Sequence, residues 1–260
     1  MENFELLTSN AFFVEKIQNE FNGTKNQGDT VVTTLDADLQ QAAYDALGDN
    51  KGAVVVLEAD TGKILTMVSK PDYDPNNLAA DWETLNTDEE NSPLLNRATN
   101  GSYAPGSVFK IITTLAYMRQ NSDYPSYTYD CTGSITVDDT TIPCFNNTVH
   151  GFEDLRSSFA NSCNSSFANI GLSLDLAKYK ETAEDLLFNS ALPGVLDYTK
   201  SSFVLDEGAP VSEVMMTAMG QGRTTVSPYH MALITQAVAN GGTLMEPYLV
   251  EQGTNYTGTK

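Results

Sequence analysis

The stretch GSYAPGSVFK, residues 101–110, sets a serine and a lysine three positions apart, immediately after a proline-glycine pair. The apolar run IITTLAYM follows it, and together they predict a helix over residues 106–119. On such a helix Ser107 and Lys110 lie on the same face, since residues at i and i+3 are neighbours. A lysine at the start of an apolar helix therefore needs a physical reason.

One explanation of this lysine is that it acts as a catalytic base. The partial positive charge of a helix N-terminus disfavours an ammonium at Lys110, and so does desolvation by an apolar stripe that includes Val108 and Met118. A neutral amine one turn from a hydroxyl can accept its proton, which makes Ser107 a nucleophile without a histidine. The alternative is a chance Ser-x-x-Lys pattern in which the lysine extends to water.

A second polar triplet, Ser162-Cys163-Asn164, joins two predicted short helices in GFEDLRSSFANSCNSSFANIGLSL. Its serine could relay protons, and its asparagine could hold a substrate amide and the lysine. The alternative is a helix-capping cluster in a loop rich in serine and asparagine.

The two histidines do not complete a serine-histidine triad. His150 is predicted to precede a helix that starts at Gly151, and His230 is predicted to pack or cap within the last amphipathic helix. The sequence also has no G-x-S-x-G elbow, phosphate-binding loop, dinucleotide fingerprint or HExxH motif.

Composition excludes further classes of protein. The 260 residues carry a net charge of −20, with 34 acidic residues against 14 lysines and arginines, which argues against a nucleic-acid partner. No apolar segment is long enough to span a membrane.

Cys131 and Cys144 flank a predicted hairpin, so a disulfide between them is geometrically allowed, with two free thiols as the alternative. Cys131, Cys144 and His150 lack the CxxC spacing typical of zinc sites, so no metal site is predicted.

The rest of the chain predicts an α+β fold. A helix capped by Asp36, a hairpin that turns at residues 60–62 and a final helix capped by Ser227 are strongly indicated. Residues 76–104 and 191–224 are expected to be largely irregular. One hairpin with several helices favours α+β over alternating βαβ units, and two strands make a poor sheet, so the sheet is expected to be incomplete.

Taken together, these motifs resemble those of class B penicillin-binding proteins. Ser107-Val-Phe-Lys110 and Ser162-Cys163-Asn164 match the first two active-site motifs of penicillin-binding proteins and serine β-lactamases. The flanking segments are similar to class B members in the same order: TTLDADLQQAA, GAVVVLEADTGKILTMVS, LLNRATNGSYAPGSVFK, HGFEDLRSSFANSCNSSFANIG, MGQGRTTVSPYHMALITQAVANGG and EPYLV, over about residues 31–250.

The resemblance implies a D,D-transpeptidase that cross-links peptidoglycan stem peptides ending in D-Ala-D-Ala. Ser107 would attack the penultimate D-Ala carbonyl while Lys110 takes its proton. Ser162 would help to protonate the leaving D-Ala, and Asn164 would orient the donor peptide. β-Lactams would acylate the same serine, and no metal or cofactor is implied.

A third matching element is the glycine-rich loop Gly220-Gln221-Gly222. The resemblance implies that this loop supports the substrate-binding side of the site without taking part in the chemistry.

The resemblance also sets domain limits and exposes a difference. Residues 31–260 would be a partial transpeptidase domain with a penicillin-binding protein/serine β-lactamase-like fold, and residues 1–30 would connect it to an N-terminal non-catalytic region. The family's third motif, Lys-Thr/Ser-Gly, does not follow EPYLV, and the terminal YTGTK is interpreted as an accidental match. We therefore expect a sheet that lacks its C-terminal strands, and weak or no turnover from residues 1–260 alone.

Two alternatives stay open at this point. A serine β-lactamase or β-lactam sensor shares the first two motifs, and an inactive scaffold in a cell-wall synthesis complex could keep them without turnover. The resemblance places the protein on the extracytoplasmic face of a bacterial cell membrane, anchored by an N-terminal helix outside these residues. It also implies a glycosyltransferase partner, in a septation or an elongation complex.

Overall fold

The computed structural model describes residues 21–23, 31–251 and 258–259. The predicted connecting segment, residues 1–30, lies outside this part of the chain except for residues 21–23. In chain order the helices and strands are α1 (Ala37–Leu47), β1 (Gly52–Leu57), β2 (Ile64–Lys70), α2 (Leu78–Thr87), α3 (Lys110–Gln120), β3 (Thr128–Cys131), β4 (Ser134–Val137), β5 (Thr140–Pro143), β6 (Gly151–Asp154), α4 (Leu155–Ala160), α5 (Asn164–Ser173), α6 (Leu176–Asp185), α7 (Val211–Ala218), α8 (Pro228–Ala239), β7 (Leu244–Met245) and β8 (Gly258–Thr259).

The described residues divide into two compact units. The first comprises the residues up to Ala98, Pro193–Asp197 and the residues from Ala232 onward. The second comprises Thr99–Leu192 and Tyr198–Met231, and it contains every predicted site residue.

Helix α1 and the β1–β2 hairpin of the first unit confirm the sequence predictions. The Asp36 carboxylate accepts a hydrogen bond from the Leu39 amide at 3.0 Å, and Gly48 follows the helix with a φ of 53°. Gln40 joins the helix to the antiparallel hairpin, because its side chain donates to the Met67 carbonyl at 2.8 Å and accepts from the Met67 amide at 2.9 Å.

Small two-stranded sheets are the only sheets in the described residues. The pairs are β1–β2, β3–β6, β4–β5 and β7–β8. The fold is therefore α+β with little sheet, as predicted. No helix within the described ranges is both long and apolar enough to cross a membrane.

Helix α5 occupies the interior of the second unit. Phe167, Ala168 and Ile170 on this helix are fully buried. Helix α7 packs closely against it at Gly171, where an added Cβ would lie 2.5 Å from the Cβ of Ala218. Since real Cβ atoms do not approach so closely, only glycine allows this contact between the two helices.

Two helices lie where the sequence predicted irregular structure. Helix α7 falls within residues 191–224, and its stability comes from its contact with α5, which eight residues of local sequence cannot reveal. Helix α2 falls within residues 76–104, where LAADWETL is rich in good helix formers.

Two local expectations about the site region are also wrong. Val108 is 49% exposed, because it lies in a 3₁₀ turn, Gly106–Phe109, whose tighter winding turns it away from the buried face of α3. Gly151 begins strand β6, not a helix, so His150 precedes a strand that pairs with β3.

A buried hydroxyl on α3 connects three helices of the second unit. The Thr113 Oγ1 donates to the Ala218 carbonyl at 2.8 Å. The Tyr179 hydroxyl lies 2.6 Å from the same Oγ1, and it must be the donor there because the single threonine proton is already used. Both side chains are fully buried, so the network links α3 to α6 and to the end of α7.

This network predicts a non-additive pair of substitutions. Thr113→Val leaves the buried Tyr179 hydroxyl unpaired and should lower the free energy of unfolding by about 1–3 kcal/mol. Tyr179→Phe should cost less, because Thr113 keeps its bond to Ala218. Urea denaturation of both single variants and the double variant measures the coupling. We expect the double variant to lose clearly less than the sum, whereas an additive result would contradict the network.

Candidate active site

Ser107 and Lys110 lie on either side of the junction between the 3₁₀ turn and α3. Ser107 is exposed, whereas Lys110, the first residue of α3, is only 1% exposed. The Lys110 Nζ lies 3.3 Å from the Ser107 Oγ. The hydroxyl is therefore accessible to a ligand while its neighbouring amine is shielded from water.

The Ser162-Cys163-Asn164 triplet supplies the other contacts of this amine. The Lys110 Nζ lies 2.7 Å from the Ser162 carbonyl oxygen, 2.9 Å from the Ser162 Oγ and 2.8 Å from the Asn164 Oδ1. The structure thus brings the four predicted catalytic residues together around one nitrogen atom.

The hydrogen-bond geometry suits a neutral amine at Lys110. Two of the surrounding oxygen atoms, the Ser162 carbonyl and the Asn164 Oδ1, can only accept, and they use the two N–H groups of a neutral amine. The nitrogen lone pair is then free to accept a proton from the Ser107 or Ser162 hydroxyl. Burial lowers the pKa of Lys110 from 10.5 to about 8, against a smaller opposite effect of the nearby cysteines.

The backbone at Ser162 directs this residue toward the lysine. Ser162 has a φ of 52°, in the left-handed region that non-glycine residues rarely adopt. The next residue, Cys163, is the N-cap of α5, and its Sγ accepts from the Ser166 amide at 3.4 Å. Strained residues of this kind persist only where their surroundings hold them, and here both Ser162 oxygens contact Lys110.

Asn164 is held at both ends of its amide. Its Oδ1 accepts from Lys110, and its Nδ2 donates to the Pro143 carbonyl at 3.1 Å. An amide nitrogen carries two hydrogens, so one N–H remains for a ligand. Through these two contacts within the protein, Asn164 positions the amine of Lys110.

The loop Gly220-Gln221-Gly222 contacts the start of the turn that carries Ser107. The Gly106 amide donates to the Gly220 carbonyl at 2.7 Å, and the Gln221 amide donates to a carbonyl of α7. Gly220 and Gly222 have φ values of 84° and 85°. A Cβ on Gly220 would lie 1.8 Å from the Gly106 oxygen, so the loop supports the turn by direct backbone contact.

Three cysteines and a histidine cluster directly beside the triplet. The Cys144 Sγ lies 3.7 Å from both the Cys131 Sγ and the Cys163 Sγ, and the His150 Nδ1 lies 3.3 Å from the Cys131 Sγ. All three cysteines are buried free thiols. The Cys131 and Cys144 sulfurs are close but not bonded in this structure. A disulfide between them stays a prediction.

The pKa values of two thiols in this cluster are shifted in opposite directions. Burial raises the pKa of Cys131, but hydrogen bonds from Ser165 and from the backbone of His150 and Gly133 outweigh it and lower that pKa. Burial raises the pKa of Cys163.

Composition carries a signal for this cluster that the spacing of the cysteines does not. The cluster contains all three cysteines of the chain and one of its two histidines. Cys163 belongs to both the triplet and the cluster, so the spacing of Cys131, Cys144 and His150 alone does not predict a metal site. The antiparallel pairing of β3 with β6 brings Cys131 opposite Gly151, next to His150, and this pairing is not visible locally.

His230 is packed within the second unit and takes no part in the site. Its Nε2 donates to the Leu186 carbonyl at 2.7 Å, so its Nδ1 accepts from the Ser201 hydroxyl at 2.7 Å. Burial lowers the pKa of His230 to about 4, which keeps the ring neutral.

Comparison with known proteins decides the family. Residues 52–260 match the family model of the penicillin binding protein transpeptidase domain. The chain belongs to this family. The resemblance to class B penicillin-binding proteins is thereby confirmed, and so is the fold class.

Individual relatives agree with the family match. The peptidoglycan D,D-transpeptidase PbpA of Mycolicibacterium smegmatis is 36% identical, in an alignment 259 positions long that covers 92% of this chain and 52% of the relative. The chain thus spans about half the length of the relatives it matches, as the 52% coverage of PbpA from Mycobacterium tuberculosis also shows.

Solved structures of the family share the fold. The imipenem acyl-enzyme complex of penicillin-binding protein A from M. tuberculosis has a TM-score of 0.84 at 29% identity, with 97% of this chain and 64% of that chain covered. The D,D-transpeptidase domain of a peptidoglycan glycosyltransferase from Eggerthella lenta has a TM-score of 0.79 at 30% identity, covering 95% of this chain and 64% of that chain.

The contact of Gly220 with the turn predicts an unequal effect of two alanine substitutions. Gly220→Ala should lower the free energy of unfolding by at least about 2 kcal/mol more than Gly242→Ala. Gly242 is a matched control, because its φ of 89° carries similar strain but an added Cβ meets nothing within 4 Å. Urea denaturation measures both variants. Equal losses would contradict the close approach to Gly106.

Proposed function

We propose that this chain carries the acylation centre of a peptidoglycan D,D-transpeptidase, which cross-links stem peptides through a serine acyl-enzyme. The observation that carries the proposal is the buried Lys110 amine, which lies within hydrogen-bond distance of the exposed Ser107 hydroxyl and of the triplet. The named relatives support the substrate class, since PbpA is a peptidoglycan D,D-transpeptidase and penicillin-binding protein A forms β-lactam acyl-enzymes.

Acylation begins with proton transfer from Ser107 to the neutral Lys110 amine. The Ser107 Oγ then attacks the carbonyl carbon of the penultimate D-Ala, and a tetrahedral intermediate forms. At a pKa of about 8 the lysine is neutral in about a tenth of the molecules at pH 7, which is enough for a base that regenerates in each cycle.

Departure of the terminal D-Ala requires a proton on its nitrogen. The Ser162 Oγ lies 2.9 Å from the Lys110 Nζ, so the proton taken from Ser107 can return to the leaving amine through Ser162. The C–N bond breaks and the Ser107 ester remains. An acceptor amine then attacks this ester, the bond to the Ser107 Oγ breaks, and the same two groups pass the proton of the amine to the departing Ser107 Oγ.

Substrate contacts are assigned to Asn164 and to the glycine-rich loop. The N–H of Asn164 that is not bonded to Pro143 is free to contact the donor peptide. Gly220, Gln221 and Gly222 shape the site next to the Ser107 turn.

We also propose a cellular setting for the enzyme, by analogy with its relatives. We place residues 31–260 in the transpeptidase domain, residues 1–30 in a connecting segment, and the protein on the extracytoplasmic face of the cell membrane. A glycosyltransferase is the proposed partner in cell-wall synthesis. A related penicillin-binding protein, PBP2 of Helicobacter pylori, forms a complex with MreC, which supports membership of a larger assembly.

Labelling with a fluorescent penicillin tests the nucleophile. The longest protein that carries these residues should be used, and Ser107→Ala should reduce labelling by at least ~10³-fold. Ser102→Ala is the matched control, because it changes another exposed serine of the same loop, and it should label at the unmodified rate. Undiminished labelling of Ser107→Ala would refute the assignment of the nucleophile.

A chase with unlabelled penicillin separates the alternative functions. A label that persists on Ser107 is expected for a transpeptidase. Rapid loss of the label would instead identify a serine β-lactamase, and a folded protein that never labels would identify an inactive scaffold. Release of D-Ala from a D-Ala-D-Ala peptide by the same protein then tests the substrate directly.

A further inference from the structure

The cluster of Cys131, Cys144, His150 and Cys163 has the dimensions of a metal-binding tetrahedron. A zinc ion with Zn–S bonds of roughly 2.3 Å separates its sulfur ligands by about 3.8 Å and a sulfur from a nitrogen by about 3.5 Å. The two measured sulfur-sulfur distances are 3.7 Å, and the Cys131 Sγ to His150 Nδ1 distance is 3.3 Å. All four ligand atoms lie within 4.8 Å of one another.

We propose that these four residues bind one structural zinc ion in a Cys3His site that fixes the triplet of the active site. Thiolate sulfur and imidazole nitrogen are the ligands that zinc prefers, and four protein ligands make a closed, structural site. Three of the four residues are buried and the histidine is half-buried. The ion therefore has a short path from solvent past His150.

Two hydrogen-bond donors lie beside the sulfur atoms, as donors do in thiolate metal sites. The Ser165 Oγ lies 3.2 Å from the Cys131 Sγ, 3.3 Å from the Cys144 Sγ and 3.4 Å from the Cys163 Sγ. The Ser166 amide donates to the Cys163 Sγ at the start of α5. Outer donors of this kind orient metal ligands and stabilise their negative charge.

A buried carboxyl group points to a cation at the same place. Glu153 is 3% exposed and lies against Cys163. One of its oxygens accepts from Asn161 at 2.7 Å, whereas its Oε2 has no hydrogen-bond partner among the described residues. Buried acidic groups are costly without a compensating partner, so three thiols and a carboxyl in one pocket favour an added positive ion.

The ion would connect two parts of the second unit. Cys131 ends β3, and Cys144 and His150 lie between β5 and β6, whereas Cys163 lies within the triplet. Binding releases the protons of the three thiols to solvent and forms three Zn–S bonds, with no change of oxidation state. The triplet is then fixed to the β3–β6 segment by metal bonds in addition to the strained backbone at Ser162.

Metal analysis of the full chain, expressed in zinc-supplemented medium and desalted without chelator, tests the site. We expect about one tightly held zinc per chain, and replacement by Co(II) should give the strong visible bands of tetrahedral thiolate coordination. A zinc chelator should make all three thiols reactive toward a thiol reagent. Zinc content, Co(II) absorption and thiol reactivity do not depend on transpeptidase activity. They therefore test the zinc site separately from the proposed function.

A matched pair of histidine variants locates the ion. His150→Asn should lose the zinc, whereas His230→Asn changes the other histidine of the chain and should keep it. His150→Cys supplies a replacement thiolate and should retain zinc, which separates loss of a ligand from loss of folding. Cys131→Ser, Cys144→Ser and Cys163→Ser should each abolish the thiolate bands of Co(II).

Three results would overturn the proposal. One is a folded, zinc-supplemented protein that holds no metal and has three reactive thiols. Another is a disulfide between two of the cysteines in the protein as isolated. The third is zinc retained equally by His150→Asn and by the three serine variants, because the ion would then lie on the acidic surface.

Discussion

A lysine side chain can be buried only if its amine is neutral or surrounded by hydrogen-bond partners, and this constraint organises the second unit. Lys110 is almost fully buried, and its Nζ contacts oxygen atoms of Ser107, Ser162 and Asn164. Each contact satisfies the amine, and each also places a group where the proposed acylation reaction needs it. The same desolvation that makes the burial costly lowers the pKa of the lysine, which suits its proposed role as a base.

The start of α5 connects this amine to the rest of the unit. Ser162 adopts a left-handed backbone conformation immediately before Cys163 caps the helix. Because Cys163 also belongs to the cysteine-histidine cluster, any force that orders the cluster also orders the contacts of Lys110. The proposed catalytic role and the structural role of this short segment are therefore coupled through one cysteine, and a zinc ion at the cluster would strengthen that coupling.

Much of this arrangement could be predicted from the sequence, because the signals are local. The capping residue Asp36 predicts helix α1, and the apolar runs on either side of the turn at residues 60–62 predict the β1–β2 hairpin. The spacing of Ser107 and Lys110 predicts that these two side chains lie close together. The cluster around Cys144 could not be predicted in this way, because it forms only when β3 pairs with β6. Helix α7 is also not predictable from local sequence, because its packing against Gly171 of α5 joins residues that are far apart in the chain. The exposure of Val108 depends on a 3₁₀ turn that an apolar pattern does not distinguish from an α-helix.

The pKa of Lys110 tests the central claim most directly. An NMR titration of the ¹³C-lysine-labelled protein follows each lysine Cε resonance with pH, and a Lys110→Met variant assigns the signal. We predict a midpoint of about 8 for Lys110. The neutral amine is then the main form of Lys110 above about pH 8, more than two units below the ordinary lysine pKa of about 10.4. A Lys110 midpoint at or above the ordinary lysine value of about 10.4 would mean that the amine stays charged beside Ser107, and the account of the site would be wrong.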